Sequence, residues 1–299
     1  MSFWKRVRLT LDMIRFEHSV FALPFALTGA LLAMRQSGFT VPEWPRLLIW
    51  IVVAMVAARS AAMAFNRLVD AGIDKRNPRT AGRHIPAQLL STKFAWVFVA
   101  IASFVFIFAS RELNMLCFWL SPFALTVTFV YSFTKRFTYL SHLVLGFALG
   151  IAPAAAWIAI RGSLDWRILL LTAAVMLWTA GFDIIYSCQD FEFDSAEGLF
   201  SMPRIFGIAG ALRIAQLLHV GMIVCLLALV FELQLGALSF VGVLAVAGLL
   251  VYEHSLVKPN DLSRVDAAFF TMNGWVSILF FCFWAADIFL LNTNYARHY

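Results

Sequence analysis

Apolar residues run through this chain in blocks of about 17–25, the length a helix needs to cross the hydrocarbon core of a bilayer. Nine blocks are legible, at 16–34, 47–65, 94–110, 113–133, 143–160, 168–188, 214–233, 235–252 and 267–291. None shows the polar–apolar alternation of a membrane barrel strand, so each predicts a helix and the whole predicts an all-α membrane protein. Pro122 and Pro153 fall inside the fourth and fifth blocks, where neighbouring helices can re-satisfy the freed backbone groups. Glu232, Gln234 and Gly236 mark the boundary between the seventh and eighth. The longest polar stretches lie near 66–93 and 189–213, so residues 1–299 read as one integral-membrane domain.

Composition supports the same class. The chain is 62% hydrophobic and only 13% charged, where a soluble domain carries about twice that charged fraction. Alternating the loops puts 16 of the 23 Lys and Arg on the N-terminal side and 6 on the other, with Arg59 inside a span. The positive-inside rule then predicts a cytoplasmic N-terminus and an external C-terminus. The same bias accounts for the net charge of +6 without a nucleic-acid partner. Basic residues precede the first block as in a secretory signal, but Glu17, His18 and Pro24, with no small-residue cleavage site, predict a retained span. Cys117, Cys188, Cys225 and Cys282 form no CxxC pair, which argues against a disulfide framework or a zinc site.

Acid is scarce, and where it gathers carries the chemistry. Asp and Glu total 17, and five of them are the acidic positions of Asn66-x3-Asp70-x3-Asp74 and Asp183-x6-Asp190-x3-Asp194. Four-residue steps stack each pair on one helix face. Asp70 and Asp190 are 120 residues apart, as are Asp74 and Asp194, and the motifs close the second and sixth spans. Clustered carboxylates beside lipid are costly unless a cation compensates them. Magnesium favours few carboxylates, several waters and phosphate oxygens, so two acid pairs across a cavity match its needs if the substrate carries a diphosphate. Lys75, Arg76, Arg79, Arg83, Lys135 and Arg136 fall on the same side. Most serve as positive-inside charge, while one or two suit the oxygens of a departing diphosphate.

Arg59, Met63, Asn66, Asp70 and Asp74 form one helical stripe. Arg59 cannot shed its charge, so within a span it needs an anionic partner: Asp183 in a structural salt bridge, or a ligand. Tyr186, four residues before Asp190, either orients a carboxylate or anchors the helix at the interface.

At these residues the chain resembles the UbiA superfamily of intramembrane aromatic prenyltransferases. Asn66-x3-Asp70-x3-Asp74 is similar to that family's first Asp-rich motif, with Arg67 where many members carry Asp, and Asp190-x3-Asp194 after Asp183 and Tyr186 to its second. Arg79-Thr80-Ala81-Gly82-Arg83 with Pro86, and Tyr131 through Arg136, also have counterparts there. The resemblance implies nine transmembrane helices around a central cavity, in a multi-pass protein of a bacterial inner membrane. It implies Mg²⁺-dependent transfer of a polyprenyl group from its diphosphate to an aromatic acid. Asp70, Asp74, Asp190 and Asp194 would hold magnesium, with Asn66 and Asp183 assisting. Lys135, Arg136 and Arg79 would steady the diphosphate, and Arg59 would hold the acceptor carboxylate. Arg59 suggests 4-hydroxybenzoate, as in ubiquinone synthesis. The run Arg15 to Pro24 and Phe65-Asn66-Arg67 look closer to the branch that prenylates a dihydroxynaphthoate on the futalosine route to menaquinone.

Two other classes fit less well. An intramembrane CDP-alcohol phosphotransferase needs a contiguous D-G-x2-A-R signature, which is absent. A cation transporter would carry its acids near the bilayer midplane rather than at span ends among arginines.

Overall fold

The computed structural model describes residues 3–15 and 19–295, with side chains at 4–15 and 22–290. The helices are α1 (Phe3–Met13), α2 (Ser19–Gln36), α3 (Trp44–Val69), α4 (Ala71–Arg76), α5 (Thr92–Leu113) and α6 (Met115–Thr134). They continue with α7 (Ser141–Arg161), α8 (Ile168–Ser187), α9 (Phe191–Glu197), α10 (Met202–Glu232), α11 (Ala237–Leu256) and α12 (Asn273–Tyr295). A 3-10 turn, Cys188–Asp190, joins α8 to α9, and a π-helical turn, Ala267–Met272, leads into α12.

Eight segments among the described residues are long and apolar enough to cross a membrane. The first block expected from sequence, 16–34, falls on α2, but residues 16–18 lie outside the described residues. Two expected boundaries shift. Ser201 caps α10 by accepting from the Arg204 N–H, so that helix begins twelve residues before the apolar block at 214, through a break at Gly207 (φ 71°). The helix before the second span's exit also stops earlier than one continuous stripe requires, as described below. Helix starts elsewhere follow ordinary capping: Ser91 accepts from Phe94 N–H and Asn114 from Cys117 N–H.

The outer surface is inverted relative to a soluble protein. Phe104, Trp119, Leu217 and Val251 are each more than two-thirds exposed on long helices, as lipid-facing side chains should be. Inside, helices approach through small residues. A Cβ on Gly146 of α7 would collide with the Met176 carbonyl of α8, and one on Gly150 would lie 2.7 Å from the Thr172 carbonyl. Gly29 of α2 abuts the Pro153 carbonyl in the same way. Such contacts hold membrane helices together by packing, where lipid offers no hydrophobic drive. An aromatic stack fills the space among α2, α8 and α12. Phe280 meets Trp284 and Phe25, Phe25 meets Trp178, and Trp178 meets Phe182, all with ring centroids within 5.0 Å. The stack continues through Phe269 of the π turn, which lies 4.2 Å from the Tyr186 ring.

One buried acid belongs to the scaffold. Asp287 of α12 accepts from the Gly236 and Leu238 N–H groups and the Ser239 hydroxyl, at 2.6, 3.2 and 2.8 Å. These are the unsatisfied donors at the start of α11, so the carboxylate acts as a cap supplied by another helix.

Candidate active site

The two acidic motifs are built the same way. Helix α3 ends at Val69 and α4 begins at Ala71, leaving Asp70 between them at φ −89°, ψ 0°. Asp190 sits at the corresponding junction before α9, at φ −95°, ψ 6°. Both occupy the sparsely allowed bridge region, where a helix can turn without losing its hydrogen-bonded course. Asp70 N–H still donates to Asn66 O, and Asp74 N–H to Asp70 O. Asp74 and Asp194 are each the fourth residue of the short helix that follows. The matched 120-residue spacing therefore corresponds to a matched backbone geometry.

Each of the four acids faces one cation. Arg79 grips Asp190 with two bonds, Nε to Oδ1 at 3.0 Å and Nη2 to Oδ2 at 2.5 Å. Arg83 reaches Asp74 at 2.6 Å, Arg136 lies 3.6 Å from Asp70, and Lys135 lies 3.9 Å from Asp194. Arg79 also donates to the Tyr186 hydroxyl at 3.0 Å, with its guanidinium 5.2 Å from the ring centroid. The segment after α4 is thus tied to the second motif, a tie reinforced by Asn77 to Asp190 and Arg76 to Glu197. Arg136 additionally donates to the Val69 carbonyl, capping α3 beside Asp70. Burial, followed by the nearby Asp74 charge, holds the Asp70 carboxyl above its ordinary pKa.

The remaining residues singled out by sequence lie at this rim or inward of it. Asn66 donates to Asp70 at 2.9 Å and lies 3.5 Å from the Ser132 hydroxyl. Arg59 is half-buried on α3, seven residues inward of Asn66. Asp183, which the sequence also offers as a structural partner for Arg59, pairs with His142 of α7 at 2.6 Å. The Gly146–Met176 contact brings the two helices close enough for that pairing. His142, Asn77 and Arg83 complete the site without having been assigned roles from sequence. Arg83 was visible only as one more basic residue; a lone His at a helix start and an Asn after a motif carry no spacing signal.

Among the described residues, no three His, Cys, Asp or Glu side chains converge tightly enough to cage an ion unaided. Magnesium does not demand a cage. What points to a cation is a set of buried carboxylate oxygens without hydrogen-bond partners: Asp74 Oδ2 and both oxygens of Asp194. Asp194 is only 1% exposed. Buried carboxylate oxygens without hydrogen bonds are expensive, and a hard divalent cation with oxygen ligands is the partner their chemistry suits.

Comparison with known proteins agrees with this geometry. Residues 22–277 match the UbiA prenyltransferase family. The chain is 33% identical over 271 residues to a 4-hydroxybenzoate octaprenyltransferase of Vibrio cholerae serotype O1, covering 90% of this chain and 93% of that one. Its fold is similar to the apo structure of a UbiA homolog from Aeropyrum pernix K1, with a TM-score of 0.82, 34% identity, and coverage of 91% and 98%. A UbiA homolog from Archaeoglobus fulgidus bound to DMAPP and Mg²⁺ shares the fold, with a TM-score of 0.71 at 18% identity over 93% and 98% of the two chains. A helical membrane bundle with paired acidic junctions at one end, matched along most of its length by sequence and by fold, places the chain in the UbiA prenyltransferase family.

Proposed function

We propose that this protein transfers a polyprenyl group from polyprenyl diphosphate to an aromatic carboxylic acid, with Mg²⁺, in respiratory quinone synthesis. The observation that carries this reading is the set of orphaned Asp74 and Asp194 oxygens among cations at the rim of an apolar bundle. The names of its relatives support it, since the Vibrio protein is a 4-hydroxybenzoate octaprenyltransferase. Asp70, Asp74, Asp190 and Asp194 hold the metal. Magnesium, when bound, neutralises diphosphate charge and improves it as a leaving group.

The chain's own residues do the rest. Arg79, Lys135 and Arg136 lie within reach of the acids and offer charge-assisted donors to the diphosphate oxygens as the allylic C–O bond breaks. Its electron pair leaves with the diphosphate, and the electron-rich ring attacks the allylic carbon. Arg59 holds the acceptor carboxylate about 10 Å inward of Asn66, by helix rise over seven residues. The basic-residue bias supports an acidic rim facing the cytoplasm of a bacterial inner membrane. A transporter reading is disfavoured because every motif acid at the rim meets an Arg or Lys, which would repel a free cation.

Membranes containing the protein, given polyprenyl diphosphate and Mg²⁺ with either 4-hydroxybenzoate or a dihydroxynaphthoate, test the reading. An EDTA-sensitive prenylated product from one acid supports it and names the acceptor. The absence of product from both acids, with folded protein and several prenyl lengths, overturns it.

A further inference from the structure

Asp183 stands apart from the other four motif acids. Asp70, Asp74, Asp190 and Asp194 each face an Arg or Lys, whereas Asp183 meets His142 at ion-pair distance. That histidine is held by a second contact. The Met202 backbone N–H, which can only donate, points at His142 Nε2 from 3.4 Å. Nε2 therefore accepts there, which leaves Nδ1 to donate to Asp183 Oδ2 at 2.6 Å. His142 is 1% exposed and fixed at both nitrogens, while the Asp183 side chain keeps 20% of its surface open. With one oxygen held by His142 and part of its side chain open, the Asp183 carboxylate keeps lone pairs that can accept a further proton.

Its depth suits the acceptor. Asp183 lies seven residues inward of Asp190, and Arg59 lies seven inward of Asn66. Asp183 is therefore about 10 Å below Asp190, whereas Arg59, eleven residues inward of Asp70, is about 16 Å below that acid by helix rise. An acid anchored on Arg59 with its ring turned toward the rim presents that ring near the level of Asp183.

We propose that Asp183, positioned by His142, is the base that takes the ring proton from the aromatic acceptor. The proposal rests on the prenyl-transfer reading above. A ring carbon forms the new C–C bond to the prenyl C1, while the C1–O bond breaks with its electrons on the diphosphate. The C–H bond at that ring carbon then breaks, its electron pair restores aromaticity, and the proton passes to Asp183. From there it reaches solvent through the open part of the side chain. His142 orients the carboxylate and touches no reacting atom.

The test compares wild type with Asp183→Asn, His142→Gln and His142→Leu, using ring-deuterated and ordinary acceptor. A positioned base contributes about 10²–10⁴-fold, so Asp183→Asn should lower kcat by at least about 100-fold with the prenyl diphosphate KM unchanged. Proton loss then limits turnover, and a primary isotope effect absent from wild type appears. His142→Leu should show the same isotope effect with a smaller loss of kcat, and His142→Gln, which keeps a donor, should recover most of it. An Asp183→Asn enzyme with unchanged kcat, or a loss confined to acceptor KM with no isotope effect, overturns the assignment. If the wild type itself makes no prenylated product, the functional reading has failed instead, and the two failures are distinct.

Discussion

Asp194→Asn should move stability and activity in opposite directions. The wild-type carboxylate is 1% exposed, with neither oxygen hydrogen-bonded. Burying a carboxylate costs several kcal/mol even after relaxation. Lys135 at 3.9 Å returns at most about 4 kcal/mol at an effective dielectric of 20, less because the lysine is one-third exposed and screened. Removing the charge should therefore raise stability in EDTA by about 1–2 kcal/mol, seen as a Tm higher by a few degrees. Magnesium with inorganic diphosphate should reverse the ranking. Ligand at a hundredfold its Kd adds about 2.7 kcal/mol to wild type, and Asp194→Asn should gain little of this while losing turnover. Thermal unfolding of purified protein in detergent, with EDTA or with Mg²⁺ and diphosphate, gives both numbers. A variant less stable than wild type in EDTA, or one with the full ligand-induced shift, would refute the reasoning.

Further outcomes follow from other contacts. Arg79→Lys keeps the charge but loses the two-bond grip on Asp190, and should cut kcat/KM for prenyl diphosphate about tenfold or more, equivalent to about 1.4 kcal/mol; steady-state kinetics at saturating acceptor check it. Arg59→Ala should raise the acceptor KM with prenyl diphosphate KM unchanged, and an unaltered acceptor KM would remove the carboxylate-anchor role. Asp287→Ala strands three donors at the start of α11 and should cost about 2–4 kcal/mol of stability with substrate KM values unchanged, measured by thermal unfolding and kinetics on the folded fraction. Gly146→Ala drives a methyl into the Met176 carbonyl and should lower Tm by overpacking worth about 1–3 kcal/mol.

The bundle and the acidic motifs were legible because each has a local signature. Apolar length gave the spans, and four-residue acid spacing gave the pairs. The junctions at Asp70 and Asp190 were hidden, since a bridge-region residue costs a helix almost nothing in sequence pattern and Asn66-x3-Asp70-x3-Asp74 reads as one uninterrupted face. The start of α10 was missed because Arg204 and Arg213 dilute its hydropathy. His142 and Asp287 could not be read at all. Their importance lies in partners 41 and about 50 residues away, brought near by glycine contacts and helix ends that no single-chain periodicity records. The aromatic residues were similarly opaque: composition could not separate the lipid-facing Trp119 from Trp178, which is fully buried in the stack.

The one-to-one matching of acids with cations has a thermodynamic consequence. Because each rim acid already meets a cation, the rim attracts a bare divalent ion less than free carboxylates would, and a bare diphosphate less than free cations would. Each guest becomes welcome when the other supplies its counter-charge. Linkage then requires that the ion raise diphosphate affinity by the same factor by which diphosphate raises ion affinity. The apparent affinity for the isoprenoid donor thus tracks free magnesium, and the short polyphosphates and stray cations of the aqueous phase, arriving singly, compete poorly for the rim.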